Sequence, residues 1–131
     1  MKRRIQHAEP RAIAARTILA MLRRTAHVYL ETTEIGTNAP ELVLCLAIFI
    51  GQAEGKPMTS TKLATYIGMP RPTVIRKLRT LAKAGLIEMK NGKACLPHEK
   101  LNSERVLDMR RRSAREARTL ASNLDASIVD R

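Results

Sequence analysis

YIGMPRPTVIRKL, residues 66–78, brings a glycine, two prolines and an arginine together, then continues as a basic stretch with apolar residues at helical spacing. Just upstream, Thr59 suits a helix N-cap, because its hydroxyl can accept an unpaired backbone N–H of the first turn. Met58 and Leu63 occupy the two positions of a hydrophobic staple around that cap. Leu63, Ala64 and Ile67 form an inward face, and Gly68 stops the helix as a left-handed C′ residue. Pro70 cannot continue a helix, and Pro72 pushes Arg71 toward an extended conformation while itself suiting the first turn of a new helix. The stretch predicts two helices joined at a steep angle by a turn of about three or four residues, a helix-turn-helix.

In the second of these helices Val74, Leu78 and Leu81 recur at i, i+4 and i+7 and must face the core. Thr73, Arg76, Lys77 and Thr80 then project to the other side, with Arg79 and Lys83 on the flank. After Gly85 the period changes. LIEMKNGKACLP, residues 86–97, alternates around Asn91-Gly92, the pair best suited to a type I′ hairpin turn. Leu86 and Ile87 anchor the first strand and Ala94 and Leu96 the second; Pro97 ends it, and Lys90 and Lys93 flank the tip. A basic-tipped hairpin directly behind a helix-turn-helix reads as a wing.

The flanks read as helices. The first is expected over 10–32, opened by Pro10, with Ile13, Thr17, Met21, Thr25 and Val28 on one stripe and Ile18, Leu22 and Tyr29 beside it. TEIGTNAP, residues 33–40, breaks the chain. A second helix follows over 40–53, apolar nearly all round and hence buried on most sides, and EGKP at 54–57 ends it. Its most apolar run, LVLCLAIFI at 42–50, is too short to span a bilayer. The last helix is expected over 99–128. Ala114, Ala117, Ala121, Leu124 and Ile128 keep a 3-4 spacing, Leu120 widens the stripe, and MRRRSAREAR at 109–118 covers the opposite side. A terminal helix of that length cannot bury its stripe alone on so small a domain. Pairing with the first helix, and with the same helices of a second copy, solves the problem. Ile18, Met21, Leu22, Ala117, Leu120, Ala121, Leu124 and Ile128 are the expected dimerisation residues.

The organisation that follows is a basic tail at 1–9 and a single domain at 10–131. Within the domain, 10–56 holds the N-terminal helices, 57–97 the helix-turn-helix and wing, and 98–131 the C-terminal dimerisation helix. The fold class is mainly α with a small β-hairpin wing.

Charge narrows the function. The chain of 131 residues carries 24 Lys and Arg against 12 Asp and Glu, a formal net charge of +12 that favours a polyanionic partner. Between 57 and 100 the excess concentrates: Lys62, Arg71, Arg76, Lys77, Arg79, Lys83, Lys90, Lys93 and Lys100 face only Glu88 and Glu99. Tyr29, Phe49 and Tyr66 are the whole aromatic complement, too few for a single-strand stacking platform. No apolar leader follows the basic start, so a cytoplasmic setting without membrane attachment is expected. Cys45 and Cys95 lack neighbours at metal-ligand spacing and read as reduced thiols, and His7, His27 and His98 as structural or surface residues. No serine, cysteine or carboxylate has partners arranged for catalysis. Neither enzyme activity, a cofactor nor a metal is expected.

The stretch at 58–97, TSTKLATYIGMPRPTVIRKLRTLAKAGLI at its heart, resembles the winged helix-turn-helix of bacterial transcription regulators of the MarR and IclR families. The matching parts are KLA in the first helix, the glycine after it, PTVIRKLRTL as recognition helix, and AGLI leading into the wing. IclR-like proteins carry a separate effector domain, for which this chain has no room; the flanking helices agree with the MarR order, in which such helices form a dimer. The resemblance implies a bacterial, nucleoid-associated homodimer that binds double-stranded DNA at a pseudo-palindromic operator. By it, Thr73, Arg76 and Lys77, with Arg71 at the helix start, would contact bases. Thr59, Thr61, Thr80, Arg79, Lys83, Lys90 and Lys93 would touch the phosphate backbone. A small aromatic acid is a possible effector, with Tyr29, Phe49 and Cys45 as candidate lining. Winged helices also serve in plasmid replication or partition and as protein–protein adaptors, which is the alternative expectation.

Overall fold

The computed structural model describes residues 9–129. The basic segment at 1–8 and the last two residues, both included in the expectations above, lie outside the described residues. The order of elements is α1 (Pro10–Leu30), α2 (Ile35–Ala53), α3 (Ser60–Ile67), α4 (Arg71–Lys83), β1 (Glu88–Lys90), β2 (Lys93–Cys95), α5 (His98–Leu101) and α6 (Glu104–Val129). A mainly helical chain with one antiparallel hairpin behind paired helices is the expected winged helix-turn-helix.

α1 opens at Pro10, and the Glu9 carboxylate caps it by accepting the Arg11 backbone N–H at 2.8 Å. The helix closes at Leu30, and Glu31 takes the left-handed cap conformation with φ 60°. Thr17 and Thr25 on its inner stripe donate back to the carbonyls of Ile13 and Met21, which satisfies their hydroxyls where water is scarce.

α2 begins a turn and more earlier than its sequence suggests. TEIGTNAP breaks the chain at two points: Thr33 and Glu34 lie between α1 and α2, and the helix that starts at Ile35 kinks at Asn38 (φ −108°, ψ 18°), with Pro40 just past the kink. The Asn38 side-chain amide and its own backbone N–H both donate to the Glu34 carbonyl, at 3.0 and 3.1 Å, which ties the first turn to the kink. At 19 residues the helix as a whole is long and apolar enough to cross a membrane, although the run at 42–50 alone is not. Leu42, Leu44, Cys45, Ala47, Ile48 and Gly51 are nevertheless buried in the protein, and Val43 and Leu46 are exposed, so its burial covers one side rather than nearly all. Backbone comes close at Gly51: a Cβ there would sit 2.8 Å from the Lys56 carbonyl oxygen.

The core lies where α2 meets α3, α4 and the wing. Leu44, Ile48, Leu63, Val74, Ile87, Leu96 and Val106 are its largest fully buried aliphatic side chains. β1 and β2 pair Glu88 with Cys95, Met89 with Ala94 and Lys90 with Lys93, and Asn91 (φ 53°) and Gly92 (φ 74°) make the expected type I′ turn. The sheet has a third contributor that sequence periodicity does not show. The Ala94 N–H donates to the Met58 carbonyl at 3.0 Å, and Thr59 bridges Lys93, so the chain entering α3 runs along β2. Gln52 of α2 continues the ladder: its amide donates to the Leu96 carbonyl and its Oε1 accepts the Leu96 N–H at 2.7 Å.

The C-terminal segment is two helices, not one. α5 is a single turn; Ser103 then caps α6, its hydroxyl accepting the Val106 N–H and donating to the Lys100 carbonyl. α6 packs antiparallel to α1. Arg105 near its start reaches the His27 carbonyl, and Glu116 in its middle meets Arg24. The stripe against α1 is Val106, Met109, Ser113, Glu116, Leu120, Asn123 and Ser127. The expected stripe of Ala114, Ala117, Ala121, Leu124 and Ile128 is the neighbouring one, and it is exposed, with Ile128 67 % accessible. Of the expected dimerisation residues, Met21, Leu22 and Leu120 are half-buried within the chain, whereas Ile18, Ala117, Ala121, Leu124 and Ile128 face outward.

Candidate nucleic-acid interface

α3 is set by its ends. The Thr59 hydroxyl accepts the Lys62 N–H at 3.2 Å, the staple residues Met58 and Leu63 are buried, and Gly68 adopts φ 74° with its N–H and that of Met69 on the Ala64 carbonyl. That left-handed residue turns the chain at once. Pro70, rather than Arg71, is the extended residue (φ −58°, ψ 138°), and α4 starts one residue earlier than expected, at Arg71. Arg71 can enter the helix ahead of Pro72 because Pro72 lies in the first turn, where no intrahelical N–H is required. Its Nε donates to the Thr61 hydroxyl at 2.8 Å, tying the two helices together at the turn.

Val74, Leu78 and Leu81 seat α4 on the core. The outer face then carries Pro72, Arg76, Arg79, Thr80 and Lys83, all exposed, with Thr73 half-buried at its edge. Among the described residues Arg76, Arg79, Lys83, Lys93 and Lys62 have no carboxylate partner. Three cations on one helical face, held in water without acids to offset them, form a strong positive strip.

Lys77 is placed otherwise. Its ammonium lies 2.7 Å from Glu41 Oε2 on α2, with side chains only 18 % and 22 % accessible, so it braces α4 against the core instead of standing on the outer face. The other Glu41 oxygen is buried without a hydrogen-bond partner among the described residues. The signal was in the spacing: Lys77 follows Val74 by three and precedes Leu81 by four, on the edge of the buried stripe.

Beside α4, the wing presents Lys90 and Lys93 opposite each other near the turn, both exposed, with Lys90 3.4 Å from Glu88. An open cleft of about 270 Å³ separates α4 from β1, lined by Ser60, Ile75, Leu78, Arg79, Ala82 and Met89. The residues expected to line an effector pocket are packing residues: Tyr29 and Cys45 are buried in the core and Phe49 packs against it. Burial pushes the Cys45 thiol up to about 12, so it stays protonated at neutral pH and is a poor nucleophile.

A capped short helix, a tight turn, a second helix with an unopposed basic face, and a hairpin beside it define a helix-turn-helix DNA-binding regulator. The chain belongs to the Crp-like helix-turn-helix domain family, whose model matches residues 42–112, more than half of its length. That match runs from the middle of α2 through the wing into α6, so the arm formed by α1 and the end of α6 lies largely outside it. No curated protein and no solved structure matches the chain.

Proposed function

We propose that the protein is a sequence-specific regulator of transcription that binds double-stranded DNA as a homodimer, on a pseudo-palindromic operator in a bacterial cell. The outer face of α4 carries this reading: Arg76, Arg79 and Lys83 are exposed on one side of a helix whose other side is fixed to the core. The major groove admits one α-helix, and an arginine there can pair with guanine O6 and N7 at once.

In this arrangement Arg76, Thr73 and Arg71 read bases. Arg79, Lys83 and Thr80 along the helix, Thr59 and Thr61 at the start of α3, and Lys90 and Lys93 on the wing hold phosphates and set register. The Thr59 and Thr61 hydroxyls already accept internal hydrogen bonds, which leaves each O–H proton available to a phosphate oxygen. Lys77 joins the base-reading set only by leaving Glu41, and we assign it the bracing role. A two-fold dimer puts two recognition helices in successive major grooves about 34 Å apart.

Selection of bound duplexes from a random pool, followed by footprinting, tests the reading. A protected site with two related halves is expected. On it, Arg76→Ala should cost about 1–3 kcal/mol and relax preference at one base position. An unchanged affinity for the selected site would remove Arg76 from the base-reading set.

A further inference from the structure

The open side of α6 has a composition and a charge order that specify what covers it. Its residues Ala114, Ala117, Ala121, Leu124 and Ile128 hold the 3-4 spacing of a coiled-coil seam, directly beside the stripe that packs on α1. α1 adds exposed Ile18 and Leu19 near its middle. Alanines along the seam permit close approach of a partner helix. Arg118 and Asp125, both exposed, border the seam on the side away from α1.

We infer that α6 pairs antiparallel with α6 of a second copy, with Ala121 on the two-fold axis. This deepens the homodimer proposed above and rests on that reading. In this register Leu124 meets the partner's Ala117 and Ile128 the partner's Ala114, large against small at each layer. Arg118 lies opposite the partner's Asp125, and the symmetry repeats the pair. Moving the axis about one turn to Ala117 sets Arg118 against its own copy, a like-charge contact on a low-dielectric seam. A parallel pairing fares worse, since Arg110, which follows Leu107 by three at a seam position, would face itself. Of these three arrangements, the antiparallel Ala121 register buries the two most exposed apolar residues of the seam and, among the described residues, opposes no like charges.

The test uses the full chain in a Cys95→Ser background, leaving the buried Cys45 in place. Ala121→Cys should give a disulfide-linked dimer on mild oxidation. Ala114→Cys alone should not, because copies of position 114 lie roughly 20 Å apart along the helices at about 1.5 Å per residue, far beyond disulfide reach. Mixing Ala114→Cys with Ile128→Cys should link the two. Arg118→Asp should weaken dimerisation roughly tenfold or more by sedimentation, and Arg118→Asp/Asp125→Arg should restore it. A monomer, preferred linkage at 114 or 117, failure of the charge swap to rescue, or uptake of the seam by anionic vesicles in place of a second copy would each overturn the inference. Duplex retention on the same samples separates the two readings. Linkage at 121 without duplex binding fails the regulator and keeps the dimer; duplex binding by a monomer does the reverse.

Discussion

At the scale of single residues, Lys77 and Glu41 show how one side chain can leave an interface its sequence position suggests. A half-buried carboxylate that has one ammonium as its charged neighbour is held by that neighbour. Lys77→Met should destabilise the fold by about 1–3 kcal/mol, measured by urea unfolding, because Glu41 keeps its desolvation cost and loses its partner. Replacing Glu41 by Leu in that background should recover much of the loss. Were Lys77→Met neutral for folding and costly for one base position alone, the bracing role would be refuted. Glu31 offers a test of opposite sign. It sits exposed at φ 60°, where a Cβ is strained, so Glu31→Gly should stabilise by up to about 1 kcal/mol.

At the scale of elements, the segments with local punctuation were legible in advance and those shaped by tertiary contacts were not. Thr59, Gly68, Val74, Gly85 and Asn91-Gly92 each act through their own backbone or nearest turn, and α3, α4 and the hairpin fall where those residues put them. Pro40, by contrast, is a general breaker, yet the chain kinks at Asn38 just before it and α2 extends upstream. The break before α6 was written in Asn102-Ser103, but a serine ahead of a glutamate inside a long charged periodicity is a weak mark until its bonds are seen. Ser103→Ala should cost about 1 kcal/mol through the lost cap, read as a lower thermal midpoint. Two interleaved 3-4 repeats explain the remaining miss on α6. Leu120 belongs to the stripe against α1 and Leu124 to the open one, and periodicity alone cannot say which a monomer uses. For the candidate interface, the exposed cations of α4 and the wing were legible because their flanks are aliphatic or glycine; the fate of Lys77 depended on Glu41, 36 residues away.

At the scale of the molecule, the helix-turn-helix with its wing and the arm of α1 and α6 are joined by few polar contacts among the described residues, and the arm has its own. Arg24 and Glu116 meet in a two-pronged ion pair between α1 and α6, Nη2 donating to Oε2 at 2.7 Å. The hydrogen bond from Arg24 holds the Glu116 carboxyl below its ordinary value and raises the Arg24 guanidinium. A carboxyl lowered in the folded state adds stability above the unfolded glutamate value of about 4.3 and loses it as pH falls through the folded one. The stability gap between the parent chain and Glu116→Gln should therefore be full at neutral pH and close in acid, by denaturant titration at several pH values. The pair is partly solvated, so the gap should be modest, on the order of 1 kcal/mol or less, and should shrink with salt.

The hydrogen bond from Ala94 to Met58 gives the hairpin a mechanical character. A two-stranded ribbon standing alone is compliant, but this one is tied on one edge to Met58 and Thr59, the residues leading into α3, and at its base to Gln52. The tip behaves as a fixed stylus instead of a flexing finger. Its standoff from α4 is set when the chain folds, and on the proposed reading a duplex would meet a gauge of fixed width.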